Sequence, residues 1–341
     1  MKKKLSLFIA LSLLSCMYLN SSQTEKSIRG TINIHFDNDF FLFSLLDRYY
    51  TNGIRVTWIS PPLNTENLEN NRFLNLIPFF NRPGFHHLLS FSLGHNIFTP
   101  SKLNTSQLLE EDYPYAGFLY LEFGSHRWNE SCQESLEIML GIVGPSSLAE
   151  EIQRTIHSWV GSKIPQGWHH QLRDEPALAV IYERKWKLLR IETPAGLGFE
   201  LLPNFGAGLG NVYTYASSGF QLRLGWYLPR DFGIPLLSPG GDSGVSLYDR
   251  QLYTKNRGPI GIHAFILFEG KAVLRNIFLD GNTFTESHRV EKIPFMADLI
   301  FGLRLKVSRI NFSFAYVVLS KQFKTQPQNH TFLSLNLSFS Y

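Results

Sequence analysis

The feature that most constrains the fold is a strict alternation of apolar and polar residues in short segments along the chain. The last residues, "TFLSLNLSFSY", place leucine, phenylalanine or tyrosine at every second position from Leu333, with serine or asparagine between them. Because successive side chains of a strand point to opposite faces, such a segment predicts a strand with one apolar and one polar face. A soluble sandwich strand would look the same, so alternation alone leaves two fold classes open. The same pattern begins at Ile32, Ile54, Leu89, Leu119 and Phe312.

The N-terminal segment favours one of these classes. "MKKKLSLFIALSLLSCMYLNSS" places three lysines before an apolar run and then small polar residues. That order is typical of a secretory signal, and the run is too short to span a bilayer as a helix. A buried N-terminal helix is the alternative. We predict a signal peptide over 1–22 with cleavage near Ser22, although "LLSC" also resembles a lipoprotein box with Cys16 as the lipidated residue.

An exported chain with an aromatic C-terminal strand favours a barrel of the bacterial outer membrane. Aromatic residues make up 14% of the sequence, as the interfacial girdles of such a barrel require. Beyond the signal, no stretch reaches the ~20 apolar residues of a membrane helix. We therefore predict an all-β fold over 23–341: one antiparallel transmembrane β-barrel in the outer membrane, with a short helix on its extracellular side.

The charge and the cysteines exclude other classes. Loss of the signal removes three lysines and no acids, so the net charge falls from +4 to +1. The basic character is therefore no argument for nucleic-acid binding, and we expect no nucleic-acid partner. Only Cys132 remains beyond Cys16, so the mature chain cannot form an internal disulfide. We expect a monomer held by its own packing.

The order of the strands predicts which loops lie outside. Such barrels begin and end in the periplasm, so loops after odd-numbered strands are extracellular. The segment from 144 to about 175 follows strand five and holds the one convincing helix, "GPSSLAEEIQRTIHSWVG". Ser147 and Glu150 match a capping box, and Gly161 a stop. Gln153 and His157 share one face of this helix with Glu150, whereas the apolar stripe comprises Leu148, Ile152, Ile156 and Trp159.

Five polar groups are predicted to meet at the extracellular rim: Asn38, Asp39, Thr51, Gln153 and His157. Asp39 and Thr51 have inward parity, whereas Asn38 needs a bulge or a strand end to join them. A carboxylate and an amide oxygen suit Ca²⁺, and a neutral histidine is the usual general base near pH 7. Together they indicate water attack on an ester carbonyl, with the cation stabilising the oxyanion. The plain alternative for "DND" is an Asx turn or surface carboxylates.

Two other motifs are weaker. "GGDSGV" at 240–245 echoes the nucleophile segment of trypsin-like proteases, but strand parity places it on the periplasmic side, and we interpret it as a Gly-rich turn. "WHHQL", with His169 and His170, lacks a third metal ligand at a recognisable spacing.

The chain resembles the outer-membrane lipid A 3′-O-deacylases of the LpxR family. The matching pieces run in order over nearly the whole mature chain, and their order and spacing are more specific than any one of them. They are "NDFF…DRYYTNG", "FTPS", "DYPYAGFLYLEFG", "VGPSSLAEEIQRTIH", "GWHHQL", "LGNVYTYA", "LDGNTF" and "KQF".

This resemblance implies a barrel of about 12 strands that removes the 3′-acyloxyacyl group of lipid A, within lipopolysaccharide, by Ca²⁺-dependent ester hydrolysis. It implies that Asn38 and Asp39 lie at the cation, that Thr51, Gln153 and His157 complete the catalytic set, and that His157 is the general base.

The chain departs from the family at three positions. Lys102 is shifted from a family lysine, Lys163 replaces a glutamate, and Tyr113 replaces the arginine of "DRPYAG". These departures concern contacts to the phosphate or sugar of the substrate more than the hydrolytic core. The rival hypothesis is a barrel without enzymatic activity, either a narrow pore or a structural protein.

Overall fold

The computed structural model describes residues 30–39, 48–63, 84–234 and 260–341. The predicted signal segment and the motif at 240–245 lie outside the described residues. No described helix is long and apolar enough to cross a membrane. The strands are β1 (Thr31–Asn38), β2 (Tyr49–Ile59), β3 (His86–Thr99), β4 (Ala116–Trp128), β5 (Cys132–Val143), β6 (Glu175–Trp186), β7 (Leu189–Glu192), β8 (Leu197–Gly210), β9 (Tyr213–Trp226), β10 (Ile260–Asn276), β11 (Phe295–Val307), β12 (Ile310–Leu319) and β13 (His330–Ser340). The helices are α1 (Ala149–Val160) and α2 (Ile277–Asp280), with 3₁₀ turns at Pro145–Ser147 and Trp168–His170.

The strands form one closed antiparallel sheet in which neighbours in sequence are neighbours in space. β1 pairs with both β2 and β13, and β6 pairs with β8. β6 and β7 occupy one position in the wall, because β6 pairs with residues 204–210 of β8 and β7 with residues 198–201. The barrel therefore has 12 strand positions. The predicted all-β barrel is confirmed.

The two faces of the wall follow the alternation of the sequence. In β1, Asn33, His35 and Asp37 are buried in the interior, whereas Ile32 and Ile34 are exposed on the outer surface. Exposed apolar side chains continue around the wall, among them Val56, Trp58, Phe91, Leu93, Leu121, Phe123, Ile138, Leu140, Leu224, Ile266, Leu303 and Phe339. Such an apolar belt around a polar interior is the pattern of a barrel that meets lipid on its outside.

Packed side chains close the interior at the end that carries the helices, which we call the outer end. Phe278 of α2 stacks on Phe98 of β3 with ring centroids 4.0 Å apart, and Phe118 and Tyr113 extend this aromatic cluster. The cavity lined by Tyr50, Phe98 and Tyr213 has a volume of about 60 Å³. That is room for only a few water molecules.

Ion pairs fill the opposite end. Asp231, in the segment after β9, pairs with Arg223 at 2.5 Å and with Arg304 at 2.9 Å, and all three side chains are buried. Burial alone would raise the pKa of Asp231, but Arg304 and Arg223 hold it well below its usual range. The segment after β9 is thereby fixed to β9 and β11 inside the barrel.

Candidate active site

Helix α1 lies against the outer face of the wall, over β3 and β4. His95 and Ile97 have the outward parity of Phe91 and Leu93, yet both are buried. Ile97 packs in a small apolar cluster with Tyr115, Ala149 and Trp168, and the His95 Nε2 lies 3.0 Å from the Ser147 carbonyl oxygen. The helix and the segment after it therefore cover this part of the lipid-facing surface.

Backbone geometry, not a capping box, begins α1. Its N-cap is Leu148 in the left-handed region (φ 61°), with no hydrogen bond from a side chain to the cap. The Ser147 hydroxyl donates instead to the Gly144 carbonyl at 2.6 Å. The predicted Ser147–Glu150 box is therefore wrong, because Ser147 lies in the preceding 3₁₀ turn and Glu150 binds Arg154. The predicted stop is confirmed, since Gly161 is a left-handed C-cap with φ 74°.

The face of α1 that meets the wall carries the two predicted site residues of the helix. Ala149, Gln153 and His157 follow at intervals of four residues and are the buried residues of α1. The His157 Nδ1 lies 2.6 Å from the Lys163 carbonyl oxygen. Because a carbonyl only accepts, Nδ1 carries the proton, and in the neutral ring the basic lone pair is on Nε2. Lys163 thus contacts His157 through its backbone carbonyl.

A tryptophan fixes Gln153. The Trp168 indole N–H donates to the Gln153 side-chain oxygen at 2.9 Å, and Trp168 is fully buried against the Tyr115 ring. Burial raises the pKa of Tyr115 to about 12, so its phenol stays neutral and packs as an aromatic ring. Sequence reasoning missed Trp168, although "GWHHQL" contains it; only the fold shows that its indole reaches α1.

Asn38 and Asp39 lie where β1 ends. β1 keeps an unbroken register with β2 and β13 as far as Asn38, so the strand end, and no bulge in β1, marks this position. Asn38 is half-buried, whereas Asp39 just beyond it is buried. The Arg48 backbone N–H donates to the Asp39 carboxylate at 2.7 Å, and the Asp39 N–H donates to the Thr51 carbonyl at 3.4 Å.

The irregularity of this region is in β2. The register between β2 and β3 shifts between Tyr50 and Asn52, so Thr51 is the additional residue. Thr51 is buried, and its hydroxyl lies 2.7 Å from that of Thr99, the last residue of β3. Thr99 has the same outward strand parity as Ile97 and His95, which contact α1 and the turn before it. The predicted inward direction of Thr51 is therefore wrong, because the additional residue of β2 turns its side chain to the outer side of the wall.

The structure therefore groups four of the five predicted residues in two pairs beside the end of β3, and Asn38 adjoins the first pair in sequence. Asp39, just beyond β1, and Thr51, in β2, are linked by a backbone hydrogen bond, and Gln153 and His157 lie one turn apart on α1. In the described part of the chain, no group of three or more His, Cys, Asp or Glu side chains could hold a metal ion. With the described residues alone, a cation here would thus need amide, hydroxyl or backbone oxygens in addition to at most two such side chains.

A second face of α1 is apolar and exposed. Leu148, Ile152, Ile156 and Trp159 are exposed, Trp159 by 81%. At 100° per residue this stripe lies roughly 100° from the face with Gln153 and His157, and Glu151, Arg154 and Ser158 occupy the third side. A helix with one face on protein, one apolar and one polar is suited to the boundary between lipid and water.

The "WHHQL" motif and Lys102 lie in neighbouring segments. The His169 and His170 rings lie 4.0 Å apart in the 3₁₀ turn, tilted by 44° to each other, and the His170 Nε2 lies 3.1 Å from the Ser106 carbonyl oxygen. They line an open groove with Arg173 and His288. Lys102 is exposed on the loop between β3 and β4.

The fold and the position of these residues define an outer-membrane β-barrel whose candidate site lies on the outside of the wall, beneath a surface helix. The chain belongs to the LpxR family of outer membrane proteins, whose model matches residues 7–341.

Comparison with solved structures agrees with this assignment. LpxR from Salmonella typhimurium superposes with a TM-score of 0.71 over 91% of this chain and 100% of that chain, at 18% sequence identity. This likeness shows the fold. The β domain of the Bordetella autotransporter BrkA is more distant: the match covers 93% of this chain and 99% of that chain at 8% identity, with a TM-score of 0.44. No curated protein sequence matches the chain.

Proposed function

We propose that the protein is an outer-membrane esterase that hydrolyses the 3′-linked acyloxyacyl ester of lipid A. Membership of the LpxR family supports an outer-membrane lipid A deacylase. The observation that carries the proposal is the position of Gln153 and His157, which are buried between α1 and the outer wall beside an exposed apolar stripe.

This position suits a lipid substrate. Lipid A occupies the outer leaflet, with its acyl esters just below the sugar and phosphate groups. A polar site on the outside of the wall can receive such an ester laterally, with the acyl chains remaining beside apolar side chains such as Ile156. No passage through the barrel is needed.

His157 is the proposed general base. With Nδ1 held by the Lys163 carbonyl, Nε2 can take a proton from a water molecule as that water attacks the ester carbonyl. A new carbon–oxygen bond forms with the water, and the bond to the sugar oxygen then breaks. His157 returns the proton to the leaving sugar oxygen, giving a carboxylic acid and a free hydroxyl.

Asp39 and Asn38 are the proposed holders of a Ca²⁺ ion. Carboxylate and amide oxygens are of the hard type that Ca²⁺ prefers, but two side chains are fewer than its usual 6–8 ligands. Backbone carbonyls, water and the substrate would have to complete the set. When bound, the cation would supply positive charge that stabilises the oxyanion.

The packed interior argues against the rival pore. The aromatic cluster occupies the outer end of the described barrel, and the Asp231 ion pairs occupy the other end. A structural barrel without activity would also have no evident use for a buried Gln–His pair on its outer wall.

The test is mass spectrometry of lipid A from cells that express the wild type, His157→Asn or His86→Ala. His86 is an exposed histidine at the opposite end of β3 and serves as the matched control. We expect the wild type and the control to remove the 3′-linked acyl mass, and His157→Asn to lower the rate by about 10²–10⁴-fold. A wild-type profile identical to that of the empty vector would refute the proposal.

A further inference from the structure

We infer that Trp168 is a positioning residue that aims the Gln153 amide N–H₂ at the oxyanion of the attacked ester. The inference rests on the proposed function and assigns a separate role to each residue. Gln153 donates a hydrogen bond to the developing negative charge, and Trp168 orients the Gln153 amide for that contact. Neither role follows from the sequence motifs.

The Gln153 amide has a defined orientation. An indole nitrogen can only donate, so the Trp168 N–H 2.9 Å from the Gln153 side chain must meet the amide oxygen. The assignment of oxygen and nitrogen in this amide is therefore fixed by chemistry, which is not generally so for glutamine. The N–H₂ group points away from Trp168 as a consequence.

The amide N–H₂ of Gln153 is left as a buried donor. Gln153 is only 2% exposed, and its Nε2 is buried with no hydrogen-bond partner among the described residues. Most buried donors are satisfied, and an unsatisfied one costs free energy that a folded chain normally avoids. A donor held ready at a site costs the same free energy, but a bound carbonyl or oxyanion can satisfy it.

The Gln153 amide lies close to the proposed general base along the helix. Gln153 lies one helical turn before His157 on the same buried face of α1. A carbonyl carbon attacked by water that His157 activates would thus have its oxygen within reach of a donor from the same helix. Preorganised donors of this kind stabilise the charge that develops in the transition state.

The packing around Trp168 makes its side chain rigid. Trp168 is fully buried, packs on the Tyr115 ring with centroids 5.0 Å apart, and belongs to the cluster with Ile97 and Ala149. A Cβ at Gly167 would lie 2.6 Å from the Tyr115 ring. Only glycine at this position therefore allows the backbone before Trp168 to approach that ring so closely. The Trp168 indole is therefore held against the barrel wall, and its hydrogen bond holds the Gln153 amide in place.

The experiment measures kcat and KM for acyl release from lipid A by purified protein in detergent. The variants are Gln153→Met, Trp168→Phe and their combination, with Trp226→Phe as the matched control, because Trp226 is an exposed tryptophan at the far end of the barrel. Heat-modifiable mobility on gels reports whether each barrel has folded. If Trp168→Phe does not fold, site-specific benzothienylalanine at position 168 removes the N–H and keeps the shape.

We expect Gln153→Met to lower kcat by about 10²-fold with KM nearly unchanged, as for loss of one oxyanion donor. Trp168→Phe, or the benzothienyl variant, should lower kcat by about tenfold, and should have no further effect once Gln153 is methionine. Wild-type kcat in the Trp168 variants, a change confined to KM, or effects that multiply in the double variant would each overturn the inference. An inactive wild type would instead overturn the proposed function itself, so the two failures are distinguishable.

Discussion

Gly117 in β4 lies directly beneath the start of α1, and a single methyl group there should disturb the site. A Cβ built at this position would lie 2.0 Å from the Ser147 hydroxyl oxygen and 2.3 Å from the Ala149 Cβ. The hydroxyl can rotate away, but the Ala149 Cβ moves only with the helix backbone. Because carbon atoms in contact are about 3.5–4.0 Å apart, Gly117→Ala should shift the first turn of α1 by roughly 1.5 Å.

A shift of that size is large for a reacting site, since a displacement of about 1 Å can cost 10²-fold in rate. We therefore expect Gly117→Ala to lower acyl release by about 10- to 10²-fold. The barrel should still form, because overpacking of this kind costs about 1–3 kcal/mol.

Gly270→Ala in β10 is the matched control, because the nearest atom to its new Cβ, the Ser218 carbonyl oxygen, lies at 3.8 Å, an ordinary contact. Both changes replace glycine by alanine within a strand, so general effects on strand formation cancel. The assay combines mass spectrometry of lipid A with heat-modifiable mobility on gels. Equal rates for the two variants, with both barrels folded, would refute the reasoning that α1 must sit this close to the wall.

Three further predictions concern the helix surface, the ion pairs and the cation. The double variant Ile152→Lys, Ile156→Lys should raise KM for lipid A in vesicles while the barrel folds normally, because charge is placed where lipid contact is expected. Ser158→Lys, on the polar side of the helix, should leave KM unchanged. Equal KM values for the double variant and this control would contradict lipid contact. Asp231→Asn should lower the midpoint of thermal unfolding by the equivalent of about 3–5 kcal/mol, since Arg223 and Arg304 lose a buried partner. The control Glu291→Gln, in the exposed pair with Lys324, should change the free energy of unfolding by about 1 kcal/mol or less. A chelator should abolish acyl release and added Ca²⁺ restore it, and full activity after chelation would remove Ca²⁺ from the mechanism.

The sequence was sufficient for the barrel because its physical signal is local. Alternation of period two sets which side chains face lipid, and β1 shows it directly, with Asn33 and His35 inside and Ile32 and Ile34 outside. The helix and its stop at Gly161 also follow from nearby residues. The family assignment and the outer-membrane location agree with these predictions.

The features of the site that the local sequence pattern could not predict depend on contacts between segments far apart in the chain. The start of α1 depends on the turn after Gly144 and on His95, not on a Ser147 cap. The additional residue of β2 at Thr51 becomes evident only through its pairing with β3.

Burial on α1 is the clearest case. Helical periodicity alone would bury the stripe that includes Ile156, whereas the helix buries Gln153 and His157 and leaves the stripe exposed. In water this arrangement would be unfavourable, and it becomes reasonable only with lipid as the surrounding medium. Which residues of the predicted set touch a substrate stays a prediction.

The measurement that tests the central claim most directly is hydrolysis of lipid A by purified protein in H₂¹⁸O, with both products weighed. We predict that the wild type releases the 3′-linked acyl group as a carboxylic acid with one ¹⁸O and leaves the sugar hydroxyl unlabelled, because water attacks the carbonyl carbon. His157→Asn should release almost none. Unchanged lipid A with the folded wild type, label in the sugar hydroxyl, or equal release by His157→Asn would contradict the account.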